Sequence, residues 1–283
     1  MIVVHTIKEL QDRLNEHKKL GHSIALVPTM GNLHAGHLQL VTSAQRHADI
    51  VVVSLFVNPT QFSANEDLGN YPRTLQDDID KLTSLNTDIL FAPSITEIYP
   101  LGGDNTTHVH VPGLTDILCG ASRAGHFDGV TTIVCKLFNI TRADVAIFGE
   151  KDFQQLAVIR RMVADLNIPI SLIGEAIVRE PDGLAMSSRN GYLSEVERET
   201  AASLYKTLLR VQQAILDGQD DFATIEARAK TELTQQGFKP DYLHVFQRDQ
   251  LRPAVSGDKE LVILVAAFLG TTRLIDNLNV NTP

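Results

Sequence analysis

Tryptophan is absent from the 283 residues, so no indole is available to stack on a nucleotide base. Cysteine is scarce: Cys119 and Cys135 are the only two. They form neither a Cys-x-x-Cys pair nor a zinc-ligand spacing, and they read as reduced thiols of a cytoplasmic protein. Basic residues are outnumbered, 25 Lys and Arg against 34 Asp and Glu, a formal charge of −9. That balance argues against a broad nucleic-acid footprint and leaves room only for a local basic pocket. Long apolar runs are missing too. The stretch over 261–269 falls well short of the roughly 20 residues that cross a bilayer, so no membrane span is expected. The first residues, Met1-Ile2-Val3-Val4-His5, show no basic stretch leading into an apolar one, and no signal peptide is expected. What remains is ordinary for a globular protein: 43% hydrophobic and 21% charged residues, enough for one large core or two domains.

The apolar pattern alternates between two periods. Helices are expected over 6–17, 38–47, 73–85, 130–140 and 153–166, where apolar residues recur on one helical face. Near-continuous apolar runs predict strands over 23–29, 50–57, 88–92, 144–148 and 170–173, with a short one at 109–111. Strand and helix in alternation predict an α/β fold, a parallel sheet with helices on both faces. The character changes near residue 175. Two long helices are expected over 194–217 and 221–236, then strands over 242–246, 261–268 and 272–275, giving an α+β part with a small antiparallel sheet. These patterns place a domain boundary at about residue 175, dividing the chain into 1–175 and 176–283. A hinge-like linker runs through Glu180-Pro181-Asp182-Gly183. No internal repeat or low-complexity segment occurs.

One run stands out: Pro28-Thr29-Met30-Gly31-Asn32-Leu33-His34-Ala35-Gly36-His37. A buried strand feeds a glycine-bearing turn that opens a helix carrying two histidines. Helix N-termini present N–H groups and a positive dipole end to a phosphate, and two imidazoles three residues apart can reach the same one. The alternative is that His34 and His37 merely start a helix. Gly149-Glu150-Lys151-Asp152 closes another strand, where ligands of open parallel sheets bind; Lys151 reads as a phosphate partner and Asp152 as a helix cap. Gln154 and Gln155 follow, either able to bond a polar substrate. Met186-Ser187-Ser188-Arg189 reads as a mobile phosphate clamp or a plain turn. Asn58-Pro59-Thr60-Gln61-Phe62 reads as a substrate-orienting strand end or a turn built on Asn-Pro. Asp77-Asp78 reads as a water-bridged Mg²⁺ site or a solvated helix face. His108 and His110, alternate residues of an expected strand, read as a metal-binding pair or as surface histidines.

Together these strings resemble the pantoate–β-alanine ligase family, within the His-x-Gly-His adenylyl-transferring superfamily. The resemblance is carried by the run above, by Ser54-Leu55-Phe56-Val57-Asn58-Pro59-Thr60-Gln61-Phe62, by Asn65-Glu66-Asp67-Leu68 and by Tyr71-Pro72-Arg73-Thr74. Further along it includes Gly125-His126-Phe127-Asp128-Gly129-Val130, Lys136-Leu137-Phe138-Asn139 and Phe148-Gly149-Glu150-Lys151-Asp152. Residues 179–190 and Thr272-Arg273-Leu274-Ile275-Asp276-Asn277 complete it, so it spans the chain.

The resemblance implies a Rossmann-like domain with a smaller C-terminal lid, a homodimer, and ATP, pantoate and β-alanine as substrates with Mg²⁺. It implies His37 as the catalytic histidine with His34, Lys151 and Arg189 acting on phosphates. ATP would be held by Met30, Gly31, Asn32, Leu33, His34, Ala35, Gly36, His37, Gly149, Glu150, Lys151, Asp152, Val178, Met186, Ser187, Ser188 and Arg189. Gln61 and Gln155 would hold pantoate, with Gln61 near β-alanine, and Asp77 and Asp78 the metal. Lys81 departs from the pattern, standing where some relatives carry glutamine.

The chemistry follows from the residue types. A carboxylate becomes an acylating agent once its oxygen attacks the α-phosphate of ATP, and an amine then displaces AMP. No nucleophilic Ser or Cys is needed. Two other readings stay open from the residues alone: a nucleotidyltransferase that stops at AMP transfer, and a non-catalytic nucleotide-binding module.

Overall fold

The computed structural model describes residues 1–63 and 66–282, so Asn65 of the family-like string lies outside the described residues. The elements run β1 (Ile2–Val4), α1 (Ile7–Lys19), β2 (Ile24–Thr29), α2 (Ala35–His47), β3 (Ile50–Leu55), α3 (Leu75–Ser84), β4 (Ile89–Phe91) and α4 (Ile95–Ile98). Next come α5 (Cys119–Ser122), α6 (His126–Thr141), β5 (Val145–Gly149), α7 (Phe153–Asp165), β6 (Ser171–Glu175), α8 (Glu195–Ala201), α9 (Ser203–Leu216) and α10 (Phe222–Gln235). Strands β7 (Lys239–Gln247), β8 (Arg252–Pro253), β9 (Glu260–Leu269) and β10 (Thr272–Asn281) close the chain.

The chain divides into two compact units. The first comprises Met1–Glu150 and Val158–Ala176. Its sheet has the order β1-β4-β3-β2-β5-β6, with every pair parallel. The order reverses at β2, which lies between β3 and β5, and the crevice outside the carboxyl ends at such a reversal is where open α/β sheets bind ligands. Ala25 and Val27 of β2, Val51 and Val53 of β3, and Val145 and Ile147 of β5 share one face. They pack there with Leu40, Val41 and Ala44 of α2 and with Leu82 of α3. Thr6 caps α1 by accepting from the Glu9 N–H, and Leu10 and Leu14 turn inward one helical turn apart.

The second unit comprises Lys151–Ala157 and the chain from Ile177 onward. Its antiparallel sheet has the order β10-β9-β7-β8. Leu204, Leu208, Val211 and Ile215 of α9 and Ile225, Ala229 and Leu233 of α10 share a core with Leu243, Val245, Ile263 and Val265. The sequence division at residue 175 assigns Lys151 to the first part, whereas its contacts group Lys151–Ala157 with the second. Within that unit Asn277 Nδ2 of β10 donates to the Lys151 carbonyl at 3.0 Å.

Two local expectations need correction. Residues 109–111 form no strand. The Val109 N–H donates to Thr132 Oγ1 at 2.9 Å, and its carbonyl accepts from the Thr131 hydroxyl, so α6 satisfies this backbone instead of a neighbouring strand. The helix expected over 194–217 breaks at Ala202, where Ser203 Oγ donates to the Thr200 carbonyl at 2.6 Å and competes with the helical ladder. Strand β1 was not expected: with three residues it is too short to carry a period. Among the described residues no helix is long and apolar enough to cross a membrane.

Candidate active site

Strand β2 ends at Thr29, and the chain must turn sharply to start α2. Gly31 (φ +86°) and Asn32 (φ +51°) take consecutive left-handed conformations there. A side chain at Gly31 would meet Leu55 at 3.1 Å and an Asp78 oxygen at 3.2 Å. Where successive backbone N–H groups of a turn point the same way they make an anion-binding concavity. Here that concavity holds an internal anion. The Asn32 N–H donates to Asp78 Oδ2 at 2.9 Å and the Leu33 N–H to Asp78 Oδ1 at 2.7 Å. Asn32 and Leu33, expected along the ATP segment, therefore give these amides to a carboxylate of the protein, and Leu33 itself is buried in the core.

His34 and His37 cap α2 reciprocally. His34 Nδ1 accepts from the Gly36 N–H at 3.1 Å, and His37 Nδ1 accepts from the His34 N–H at 3.4 Å. The two rings lie 4.1 Å apart between centroids. A neutral imidazole that accepts at Nδ1 carries its proton at Nε2. The cap thus selects one tautomer for both rings, with Nε2–H as the donor edge. Of the two readings open in the sequence, the helix start is the one this geometry shows directly.

Gln61 lies just past β3 and is nearly buried. Its Nε2 donates to the Met30 sulfur at 3.2 Å, and its Oε1 accepts from Asn58 Nδ2 at 3.1 Å. The structure thus brings a residue expected for ATP into contact with one expected for pantoate. Asn58, left in the sequence as a strand end or a turn, is 1% exposed and organises this corner. It also donates to the Gly129 carbonyl at 3.1 Å and accepts from the Tyr99 hydroxyl at 2.9 Å. Burial pushes the Tyr99 phenol up, against the pull of its bond with Thr60, so it remains a donor. Arg123 grips Glu66 through two nitrogens at 2.6 and 2.7 Å and donates to His126 Nε2 at 2.8 Å. The His126 Nδ1–H in turn donates to the Gln61 carbonyl at 2.7 Å.

Gly149 ends β5 and Glu150 follows it, beside β2 in the sheet, so the 30–37 turn and this one leave from the reversal point. Within the second unit, Lys151 Nζ lies 3.9 Å from Asp152. Gln155 is half-buried while Gln154 is buried. The Met186 N–H donates to the Val178 carbonyl at 3.0 Å, bringing two residues expected for ATP side by side. Ser187 Oγ accepts from the Arg189 N–H at 3.2 Å and starts the short helix Ser188–Tyr192.

The acidic pair expected to hold Mg²⁺ is divided by the helix. Asp77 is exposed; Asp78 is fully buried, with its oxygens engaged by two backbone N–H groups and the Thr74 hydroxyl. Mg²⁺ is held through one or two carboxylates with waters and substrate phosphates, and both Asp78 oxygens are already engaged by the protein itself. No group of three or more His, Cys, Asp or Glu suited to a metal occurs among the described residues. These residues do not fit a protein-held Mg²⁺.

The family model for pantoate-beta-alanine ligase matches residues 2–279. The chain belongs to the pantoate–β-alanine ligase family. Among curated members it is 53% identical over 281 residues to the pantothenate synthetase of Pseudomonas aeruginosa strain UCBPP-PA14, covering 99% of each chain. It is 55% identical to that of Pseudomonas putida strain W619, covering 99% of this chain and 98% of the relative. Among solved structures, pantothenate synthetase from Thermus thermophilus superposes with a TM-score of 0.92 at 42% identity, covering 98% of this chain and 99% of that one. Pantoate-beta-alanine ligase from Francisella tularensis, complexed with beta-gamma ATP and beta-alanine, superposes with a TM-score of 0.83 at 37% identity, covering 98% and 97%. Family membership sets aside both readings left open by the residues.

Proposed function

We propose that this chain condenses pantoate with β-alanine at the expense of ATP, through a pantoyl adenylate, releasing AMP and pyrophosphate. The observation that carries the residue-level reading is the contact between Gln61 and Met30 at the reversal point of the sheet. A pantoate carboxylate oriented by Gln61 there adjoins the turn that leads to His34 and His37. Its oxygen attacks the α-phosphate, and pyrophosphate departs. The Nε2–H edges of His34 and His37 donate to the phosphate oxygens as charge builds on them. Preorganised donors of this kind are worth about 3 kcal/mol each in the transition state. Lys151 and Arg189 contribute cations to the same triphosphate, and Val178, Met186, Ser187 and Ser188 take the nucleotide side. The amine of β-alanine then attacks the activated carbonyl, with AMP as leaving group and Gln155 assisting Gln61 on the pantoyl group.

Mg²⁺ enters with ATP as its phosphate-bound counter-ion, not on Asp77 and Asp78. The homodimer, the lid role of the C-terminal part and the cytoplasmic location belong to the same reading and rest on the family resemblance.

The test is direct. Incubation with ATP, Mg²⁺ and pantoate, with and without β-alanine, is followed by mass spectrometry. Pantothenate, AMP and pyrophosphate are expected only when the amine is present at full turnover. A product that retains AMP covalently in the presence of β-alanine would instead mark a nucleotidyltransferase.

A further inference from the structure

We propose that Asp78 and Lys81 are positioning residues that clasp the 30–34 turn and so aim the two histidines, in place of any metal role for this acidic helix. The inference rests on the ligase reading for its kinetic consequences, but its geometry stands on its own.

Asp78 and Lys81 lie three residues apart on α3, on neighbouring turns of one face. Both reach across to a segment more than forty positions earlier. Asp78 takes the amides of Asn32 and Leu33, one on each oxygen, and the Thr74 hydroxyl at 3.3 Å. Lys81 Nζ donates to the Leu33 carbonyl at 2.8 Å. The peptide groups on either side of Leu33 are thereby held from one helix, donor side by a carboxylate and acceptor side by an ammonium. The next residue is His34, whose ring caps α2. Asparagine enters the left-handed region more readily than most residues with a side chain, at a small cost that surrounding bonds offset. The clasp supplies those bonds. It also explains Gly31: any Cβ there would press on Leu55 and on the Asp78 oxygen that the clasp needs.

The test compares wild type, Asp78→Asn and Lys81→Met as full-length protein. Asparagine keeps the size of Asp78 but presents an NH₂ to one of the two amides. Both variants are expected to lose on the order of 100-fold in kcat/KM for ATP, the effect of misplacing catalytic groups by about an ångström. The KM for pantoate and the Mg²⁺ concentration giving half-maximal rate should stay as in wild type. Amide hydrogen exchange at Asn32 and Leu33 should accelerate in Asp78→Asn while the β2 and β3 amides stay protected.

A raised Mg²⁺ requirement with rates restored by excess Mg²⁺ would make Asp78 a metal ligand and overturn the proposal. So would a lowered melting temperature with unchanged kinetics. Should Asp78→Asn fail to fold, Lys81→Met carries the same kinetic comparison. Should wild type make no pantothenate, the ligase reading fails, while the exchange rates at Asn32 and Leu33 still decide the clasp.

Discussion

Arg179 forks onto Asp276: Nη1 donates to Oδ2 at 2.7 Å and Nη2 to Oδ1 at 2.9 Å. The guanidinium also lies 3.7 Å from the centre of the Tyr205 ring and donates to the carbonyls of Gly183 and Asn277. Asp276 is almost wholly buried. Removing one partner of such a pair strands a charge in the interior, so Asp276→Ala is expected to cost about 3–5 kcal/mol of stability. Replacing both, Arg179→Met with Asp276→Leu, should recover most of that loss. Urea unfolding of the single and double variants checks both values. A single variant as stable as wild type would show that the pair does not hold the second unit together.

His37→Ala should lower turnover by about 3 kcal/mol of barrier, on the order of 100-fold, with a modest fall in melting temperature from the lost half of the α2 cap. His34→Asn separates the two roles of its neighbour. Asparagine is a good N-cap, so α2 should keep its start while the Nε2–H donor is lost. Turnover and thermal melting measured on the same samples decide this. Early melting of His34→Asn would mean that the ring is needed for packing.

Gln61→Ala should raise the KM for pantoate more than that for ATP. Gly129→Ala should do the same without touching Gln61 chemically. A Cβ at Gly129 would fall 2.4 Å from the Thr60 carbonyl oxygen and 2.7 Å from the Gln61 nitrogen, so α6 would push the Gln61 turn away. Overpacking of this kind typically costs about 1–3 kcal/mol of stability. Initial rates against each substrate give the comparison, and equal effects on both KM values would count against the assignment of Gln61.

Acid should weaken the corner that supports Gln61. Burial pushes the Glu66 carboxyl up, but the hydrogen bonds and charge of Arg123, with His126 and Ser63, outweigh it and leave it below its ordinary value of 4.5. The unfolded chain then binds this proton more readily than the folded one. The stabilisation by Glu66 is present above pH 4.5 and is lost as the pH falls through its lower folded value. Melting temperatures of wild type and Glu66→Gln should differ at neutral pH and converge in acid. A constant difference across that range would show that the charge of Glu66 is not what matters.

Much of this molecule is legible along the chain because the signals are local. The buried strands over 24–29, 50–55 and 145–149 announce themselves as apolar runs, and the glycine turn before two histidines announces a helix start at a strand end. The parallel sheet follows from their alternation with amphipathic helices. What stayed hidden depends on partners far apart. Asp77 and Asp78 look equivalent in sequence, yet helical rotation of about 100° per residue sends one to solvent and the other onto the backbone of the 30–34 turn. Asn58 looks like a turn residue until Tyr99 and Gly129 are seen to converge on it. Burial raises the Cys135 thiol pKa against the pull of Asn139 and Lys136, an effect of packing that the sequence around it does not display.

By itself the chain determined which segments are strands and helices, that a glycine-bearing turn opens α2, and which family its ordered strings resemble. These are properties of periodicity and of residue type at fixed spacing. Only the tertiary structure decided what each polar group spends its hydrogen bonds on. It gave the amides of Asn32 and Leu33 to Asp78, fixed the imidazole tautomers through the helix cap, and tied Lys151 to β10. Hydrogen bonds act over about 3 Å whatever the separation along the chain, so the contacts that set the chemistry exist only once the backbone has brought distant residues together.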